Sequence, residues 1–383
     1  MEKKVVSKNK KRFKRIHFYF VIILIFFLII IFFVGMGFLN VKTISYDRES
    51  WIKINEKKEQ ILITPAILPL DTVAYDKKLN ELANNPPPKV VVPKFDPKTG
   101  EEIPPLPLKP NLWPVKTIYP KSGAILPFNR IVAYYGNLYS KNMGALGQYK
   151  EDEMLSRLMA EVKKWTDADL STPVIPALHY ITVVAQESAG QDGKYRARMP
   201  DTEIDKILKM AEKINAIVFL DFQVGFSTLN QELQIYEKYF KMPNVHLGID
   251  PEFSMKTGIR PGKIVGAYDA VDINYAAEYL AKIVKENNLT PKIFVIHRYT
   301  QKMVTNYKEI KPLEDVQIVM NMDGWGEVAE KKNTYQQFIY KEPVQFTGFK
   351  LFYKNDILVK GTALMTPKDL LKLQPQPIYI QYQ

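Results

Sequence analysis

The run Gly248-Ile249-Asp250-Pro251-Glu252 ends an apolar stretch that begins at Val245. Residues two apart on an extended chain point to the same side, so Asp250 and Glu252 face one opening, where each carboxylate raises the proton affinity of the other. A protonated acid beside an ionised neighbour suits cleavage of a glycosidic bond: one group protonates the leaving oxygen and the other orients it or stabilises developing charge. Asp221 and Asp323 also follow apolar runs, and they complete the set of catalytic candidates with Glu252 and Asp250. His297 and Arg298 are suited to an anionic group or a substrate hydroxyl. His179 and His246 lie inside apolar runs and read as core residues, and His17 sits at the edge of the N-terminal apolar segment.

Other polar groups fall at the ends of similar runs. They include Tyr134-Tyr135-Gly136-Asn137, Gln186-Glu187-Ser188, His297-Arg298-Tyr299 and Asn321-Met322-Asp323-Gly324-Trp325. Aromatic residues accompany the acids, and flat apolar faces suit sugar rings. The expected substrate-binding set is Tyr134, Tyr135, Asn137, Glu187, Phe253, His297, Arg298, Tyr299 and Trp325.

The elements that must hold these groups are read from periodicity. Eight short runs rich in Val, Ile and aromatics predict strands at Ile131–Tyr135, Val174–Ala185, Ala216–Leu220, Val245–Ile249, Lys292–Ile296, Val316–Met320, Gly348–Tyr353 and Ile378–Tyr382. Helical spacing lies between them, in Met154 to Trp165, Ile204 to Ile214 and Ala276 to Ile283, with shorter helices expected at Gln301–Tyr307, Thr334–Ile339 and Pro367–Leu373. Eight alternations over about 250 residues predict an α/β fold, a (β/α)8 TIM barrel whose reactive groups gather at the C-terminal ends of the strands. Lys263 to Ala270 could be an extra strand. A doubly wound open sheet is the alternative, and it lacks a phosphate-binding glycine loop.

Four segments are expected: a basic tail over 1–15, a transmembrane helix over 16–38, an extended Pro-rich linker over 39–122 and the barrel over 123–383. Ile16 to Phe38 is a nearly unbroken apolar run, long enough to cross the roughly 30 Å hydrocarbon core. Eight basic residues and one acid precede it, which keeps the N-terminus cytoplasmic and sends the barrel outward. A cleavable signal peptide is the rival reading, but its apolar region is shorter, about 7–15 residues. Pro86-Pro87-Pro88 and eight further prolines before Ser122 suit a semi-rigid spacer.

Composition narrows the function. The chain of 383 residues has no cysteine, which excludes disulfides, thiolate metal sites, a cysteine nucleophile and an acylated lipoprotein. Most of the +12 formal charge lies in the first fifteen residues and is explained by topology, so nucleic acid is not an expected partner. No cofactor or metal is expected, because no His-x-His or His-Glu-x-x-His spacing occurs; a metal-dependent hydrolase using Asp250, Glu252, His297 and Asp323 is the disfavoured third reading.

Ile131 to Asn137, Ser140 to Gly147, Ile249 to Phe253, Asn321 to Gly324, Leu351 to Tyr353 and Leu364 to Pro367 together resemble a family of secreted or lipid-anchored bacterial TIM-barrel proteins. That resemblance implies a barrel but no particular activity. A looser one is to chitinase-type glycoside hydrolases: Asp250-Pro251-Glu252 is similar to the end of their Asp-x-Asp-x-Glu pattern and Met320-Asn321-Met322-Asp323 to their Met-x-Tyr-Asp, with Gly248 and Met322 as the departures. The expectation is a glycoside-hydrolase-like barrel tethered outside the cytoplasm and acting on cell-wall or extracellular polysaccharide. The alternative is a non-catalytic barrel that binds polysaccharide or a partner at the cell surface.

Overall fold

The computed structural model describes residues 68–87, 94–95, 98, 102–103 and 110–383. The expected basic tail and membrane helix lie outside the described residues. Among the described residues no helix is long and apolar enough to cross a membrane.

Eight strands form the barrel: β1 Arg130–Gly136, β2 Val174–Ala185, β3 Ile217–Phe222, β4 Val245–Ile249, β5 Lys292–Arg298, β6 Val316–Met322, β7 Phe346–Leu351 and β8 Tyr379–Tyr382. Each pairs in parallel with its neighbours in sequence, and β8 pairs with β1 through Ile380 opposite Val132. That last pairing closes the sheet and excludes the doubly wound alternative. The β-branched and aromatic runs become strands because, once the sheet closes, both faces are covered: side chains fill the interior and helices pack outside. Glu151–Ala168, Asp201–Glu212 and Ala270–Glu286 are three of those helices, each burying an apolar stripe such as Ile204, Ile207 and Ala211.

Three expectations change. The helix expected over Gln301–Tyr307 is a single 3-10 turn, Gln301–Met303, followed by the short strand Val304–Thr305. Only Tyr268–Asp269 within Lys263 to Ala270 is extended, and it pairs with Val304–Thr305 outside the barrel, so the strand count stays at eight. Within the stretch expected as extended linker, α1 (Thr72–Ala83) is a helix, capped by the Asp71 carboxylate on the Ala74 amide and ended by Asn84 at φ 48°. Its Tyr75 and Leu82 pack in one cluster with Leu126, Ile131, Ala177, Phe219, Ile293 and Val319. The strand residues of this cluster lie at the N-terminal end of the barrel, so α1 covers that end. Gln376 N–H donates to the Leu82 carbonyl at 2.7 Å, and Asn84 Nδ2 donates to the Leu373 carbonyl at 2.9 Å. Below α1, Gln317 exchanges two hydrogen bonds with the Leu126 backbone, at 2.6 and 3.1 Å. Among the described residues the opposite, C-terminal end carries no such cover.

If α1 belongs to the cooperative core, Leu82→Ala lowers the stability of the whole barrel by about 2–4 kcal/mol, the cost of a buried leucine truncation. Val73→Ala, on the exposed side of the same helix, changes it little. Denaturant unfolding followed by tryptophan fluorescence checks this; equal midpoints for the two variants would detach α1 from the core.

Candidate functional site

Strand alternation decides which residues meet. Tyr135, His179, Asp221, Gly248, His297 and Lys350 occupy the upper inward positions of β1, β2, β3, β4, β5 and β7; Asp250 and Asp323 follow directly on β4 and β6. The pairings confirm the level: Tyr135 lies opposite His179, Asp221 opposite Gly248, and His297 opposite Asn321. A cavity of about 610 Å3 opens above them, at the C-terminal end of the strands.

Seven of the expected residues line this cavity: Tyr135, Asp250, Glu252, Phe253, Tyr299, Asp323 and Trp325. Trp325 is 60 % exposed at the rim, an unusual position for so large an apolar ring without a partner. Asp221 and His297 lie one layer lower and are fully buried. The remaining four lie outside the cavity lining. Tyr134 points to the outer face of β1 and shares a 3.0 Å hydrogen bond with Tyr353. Asn137 shapes its loop, donating to the Ile181 carbonyl at 2.9 Å and accepting from the Tyr139 amide at 2.8 Å. Glu187 pairs with Arg260 at 2.7 Å on the surface. Arg298 is buried, held by the carboxylate of Glu342 and by the carbonyls of Thr300, Gln301 and Phe338. It is a latch on the loops after β5, because the outward side of a strand end cannot reach the mouth.

The acids differ in environment. Asp323 is flanked by Lys350 Nζ at 2.8 Å and His297 Nδ1 at 2.9 Å. Burial alone would raise its carboxyl, but these two cations more than offset it and hold it below the ordinary carboxylate value. Asp250 is raised well above that value by burial, with Glu252, Asp323 and Asp221 adding repulsion. Its oxygens accept from the Glu252 amide at 3.1 Å and lie 3.4 Å from Gln223 Nε2. Glu252 is half-buried and faces the cavity; burial first, then Asp323, raises it, and a hydrogen bond from Tyr299 works the other way. The site therefore sets a carboxyl held down by neighbouring cations, after β6, beside two raised by burial and repulsion, after β4.

Beneath them His179 Nε2 lies 3.2 Å and His297 Nε2 3.5 Å from the same oxygen of Asp221, and the Tyr135 hydroxyl donates to the other oxygen at 3.0 Å. Burial opposes charge on both rings. Asp221 only partly offsets this at His179, which is lowered to about 4, whereas Asp323 and Asp221 together push His297 up to about 10. His179, Asp221 and His297 are also the one set of residues, among those described, whose donor atoms converge as metal ligands would.

His179 and Lys350 are the members that sequence reasoning passed over. Both are polar residues inside otherwise apolar strands, and the period-two alternation puts each on the inward side with the named acids. Gly248, which stands where the chitinase pattern has an acid, also acquires a reason. A Cβ there would lie 2.4 Å from both Asp221 Oδ1 and His179 Nε2, so the space is already taken. Gly248→Ala should push these groups apart and cost about 1–3 kcal/mol, read as a lower melting temperature. An unchanged melting temperature would show that Asp221 and His179 can move aside freely.

No protein-family model matches the sequence, and no curated protein is significantly similar to it. These comparisons give no support to the resemblance to chitinase-type hydrolases.

Proposed function

We propose that this barrel is a glycoside-hydrolase-like enzyme, tethered outside the cytoplasm by its N-terminal apolar segment and acting on a cell-wall or extracellular polysaccharide. The observation that carries the reading is the joint presence of Asp250, Glu252 and Asp323 with Phe253, Tyr299 and Trp325 around one open cavity. Carboxyl groups of opposed protonation beside flat apolar faces are what glycosidic cleavage uses. The tether rests on the length of the run Ile16 to Phe38 and on the basic residues before it.

Glu252 is the general acid in this scheme. It faces the cavity, and burial and the Asp323 charge raise its proton affinity, which suits it to protonate the leaving oxygen of a sugar lying across Trp325. Asp323, kept ionised by Lys350 and His297, stabilises positive charge developing at the anomeric carbon. Asp250 stays protonated and fixes the Glu252 backbone through the amide it accepts from. Lys350 also lies 3.9 Å from the centre of the Tyr135 ring, which locks the cation in place beneath the acids.

Glu252→Gln keeps the shape and hydrogen-bonding reach of the side chain but removes its proton. With a cell-wall polysaccharide as substrate, turnover should fall about 100- to 10,000-fold while binding persists. A variant that binds and turns over as the parent does would leave a non-catalytic polysaccharide-binding barrel. The pH profile has a stated sign: kcat falls as pH rises through the raised Glu252 value, when the acid loses its proton, and falls again at low pH as Asp323 gains one. Steady-state rates across pH check both limbs, and a rate that climbs through neutral pH would assign Glu252 a different role.

A further inference from the structure

Beneath the acids that line the cavity, the scheme above uses only His297, as a support for Asp323. There, His179 from β2, Asp221 from β3 and His297 from β5 are all fully buried, and His179 Nε2, Asp221 Oδ1 and His297 Nε2 lie within 4.8 Å of one another. None of these three atoms has a hydrogen-bond partner. We propose that His179, Asp221 and His297 bind a divalent transition-metal ion of the zinc class inside the barrel, directly below the cavity floor.

Distances separate this from a proton-bridged ion pair. A charge-assisted N–H···O bond closes to about 2.7–2.9 Å. Here two imidazole nitrogens approach one carboxylate oxygen at 3.2 and 3.5 Å, with geometry that makes no hydrogen bond to it. A tetrahedral ion with bonds of about 2.0–2.1 Å holds its ligand atoms roughly 3.3–3.4 Å apart, which the two observed spacings bracket. Two imidazoles and a carboxylate are also a donor set of the borderline kind that such ions prefer.

The surroundings are those of supported ligands. His179 Nδ1 lies 2.6 Å from the Tyr379 hydroxyl, to which Gln381 also donates, and His297 Nδ1 lies 2.9 Å from Asp323. The far nitrogen of His179 thus has a hydrogen-bond partner, and that of His297 lies within ion-pair distance of a carboxylate without closing a hydrogen bond to it, leaving Nε2 of each ring to face an ion. The second Asp221 oxygen accepts from Tyr135. Gly248 keeps a side chain out of the space between Asp221 and His179. Three protein ligands leave a tetrahedral ion one further position, and Tyr135, which both touches Asp221 and lines the cavity, links the two levels. The sequence hides this site because its ligands come from three separate strands.

The test reads the metal and not the activity. The full chain, kept in detergent and stripped with a chelator, is titrated with Co2+ and followed by visible absorption, then melted with and without Zn2+. One equivalent of Co2+ should give ligand-field bands that Zn2+ abolishes, and Zn2+ should raise the melting temperature by several degrees. His179→Gln should lose both responses, whereas His246→Gln, a buried histidine whose Nδ1 accepts from the Ile293 amide, should keep them. Absence of bands in the unaltered chain, which needs no variant to fold, overturns the proposal, as does full retention of both responses by His179→Gln. Either result leaves the assignment of Glu252 untouched.

Discussion

Closure of the sheet is the constraint from which the rest follows. Once β8 pairs with β1, every second side chain on eight strands has only the barrel axis to face, and the chain cannot relieve an unsuitable residue by fraying an edge. At the lower levels the inward residues are apolar, such as Ile131, Ala177, Phe219 and Val319, and α1 covers them. At the upper levels they are Tyr135, His179, Asp221, His297 and Lys350, with Asp250 and Asp323 directly above. A barrel that only had to be stable would fill these positions with Val, Ile or Leu. Burying charge there costs several kcal/mol per ion unless each is matched, and replacing such groups with apolar residues is often neutral or stabilising. Their presence is a departure from stability that points to function.

The charges are matched in a chain rather than in separate pairs. Lys350 neutralises Asp323, Asp323 supports His297, and His297 shares Asp221 with His179. Because each group touches the next, a change at the bottom of the chain alters the charge state at the top. The acids at the cavity and the histidines beneath it are therefore one electrostatic system, with Tyr135 bonded to Asp221 and stacked under Lys350 as the joint between layers. Burial raises the two carboxylic acids after β4, whereas Lys350 and His297 hold the one after β6 down.

Much of this architecture is legible from residue patterns. The eight strands lie where the β-branched runs lie, with Val174–Ala185 and Val245–Ile249 matching to the residue, because continuous apolar runs bounded by polar turns have no other stable use in an α/β chain. The acids at the C-terminal ends of β3, β4 and β6 were legible for the same reason. What was not legible depended on parity or on contacts distant in sequence. His179 looks like a core residue until it is counted in register with Asp221. Arg298 looks like a mouth residue until its neighbour His297 claims the inward side. Helix α1 carries its apolar residues Tyr75, Leu79 and Leu82 at helical spacing, but with so few of them its stability comes from the barrel base, which only the fold reveals.

If the buried charges serve a sugar, that sugar binds in the cavity above them. A crystal structure of the chain soaked with a cell-wall oligosaccharide tests it most directly. A sugar ring should lie against the Trp325 face, with a glycosidic oxygen within about 3 Å of the Glu252 carboxyl. A cavity that stays empty of sugar, or a sugar bound with Glu252 turned away from every glycosidic oxygen, would contradict it.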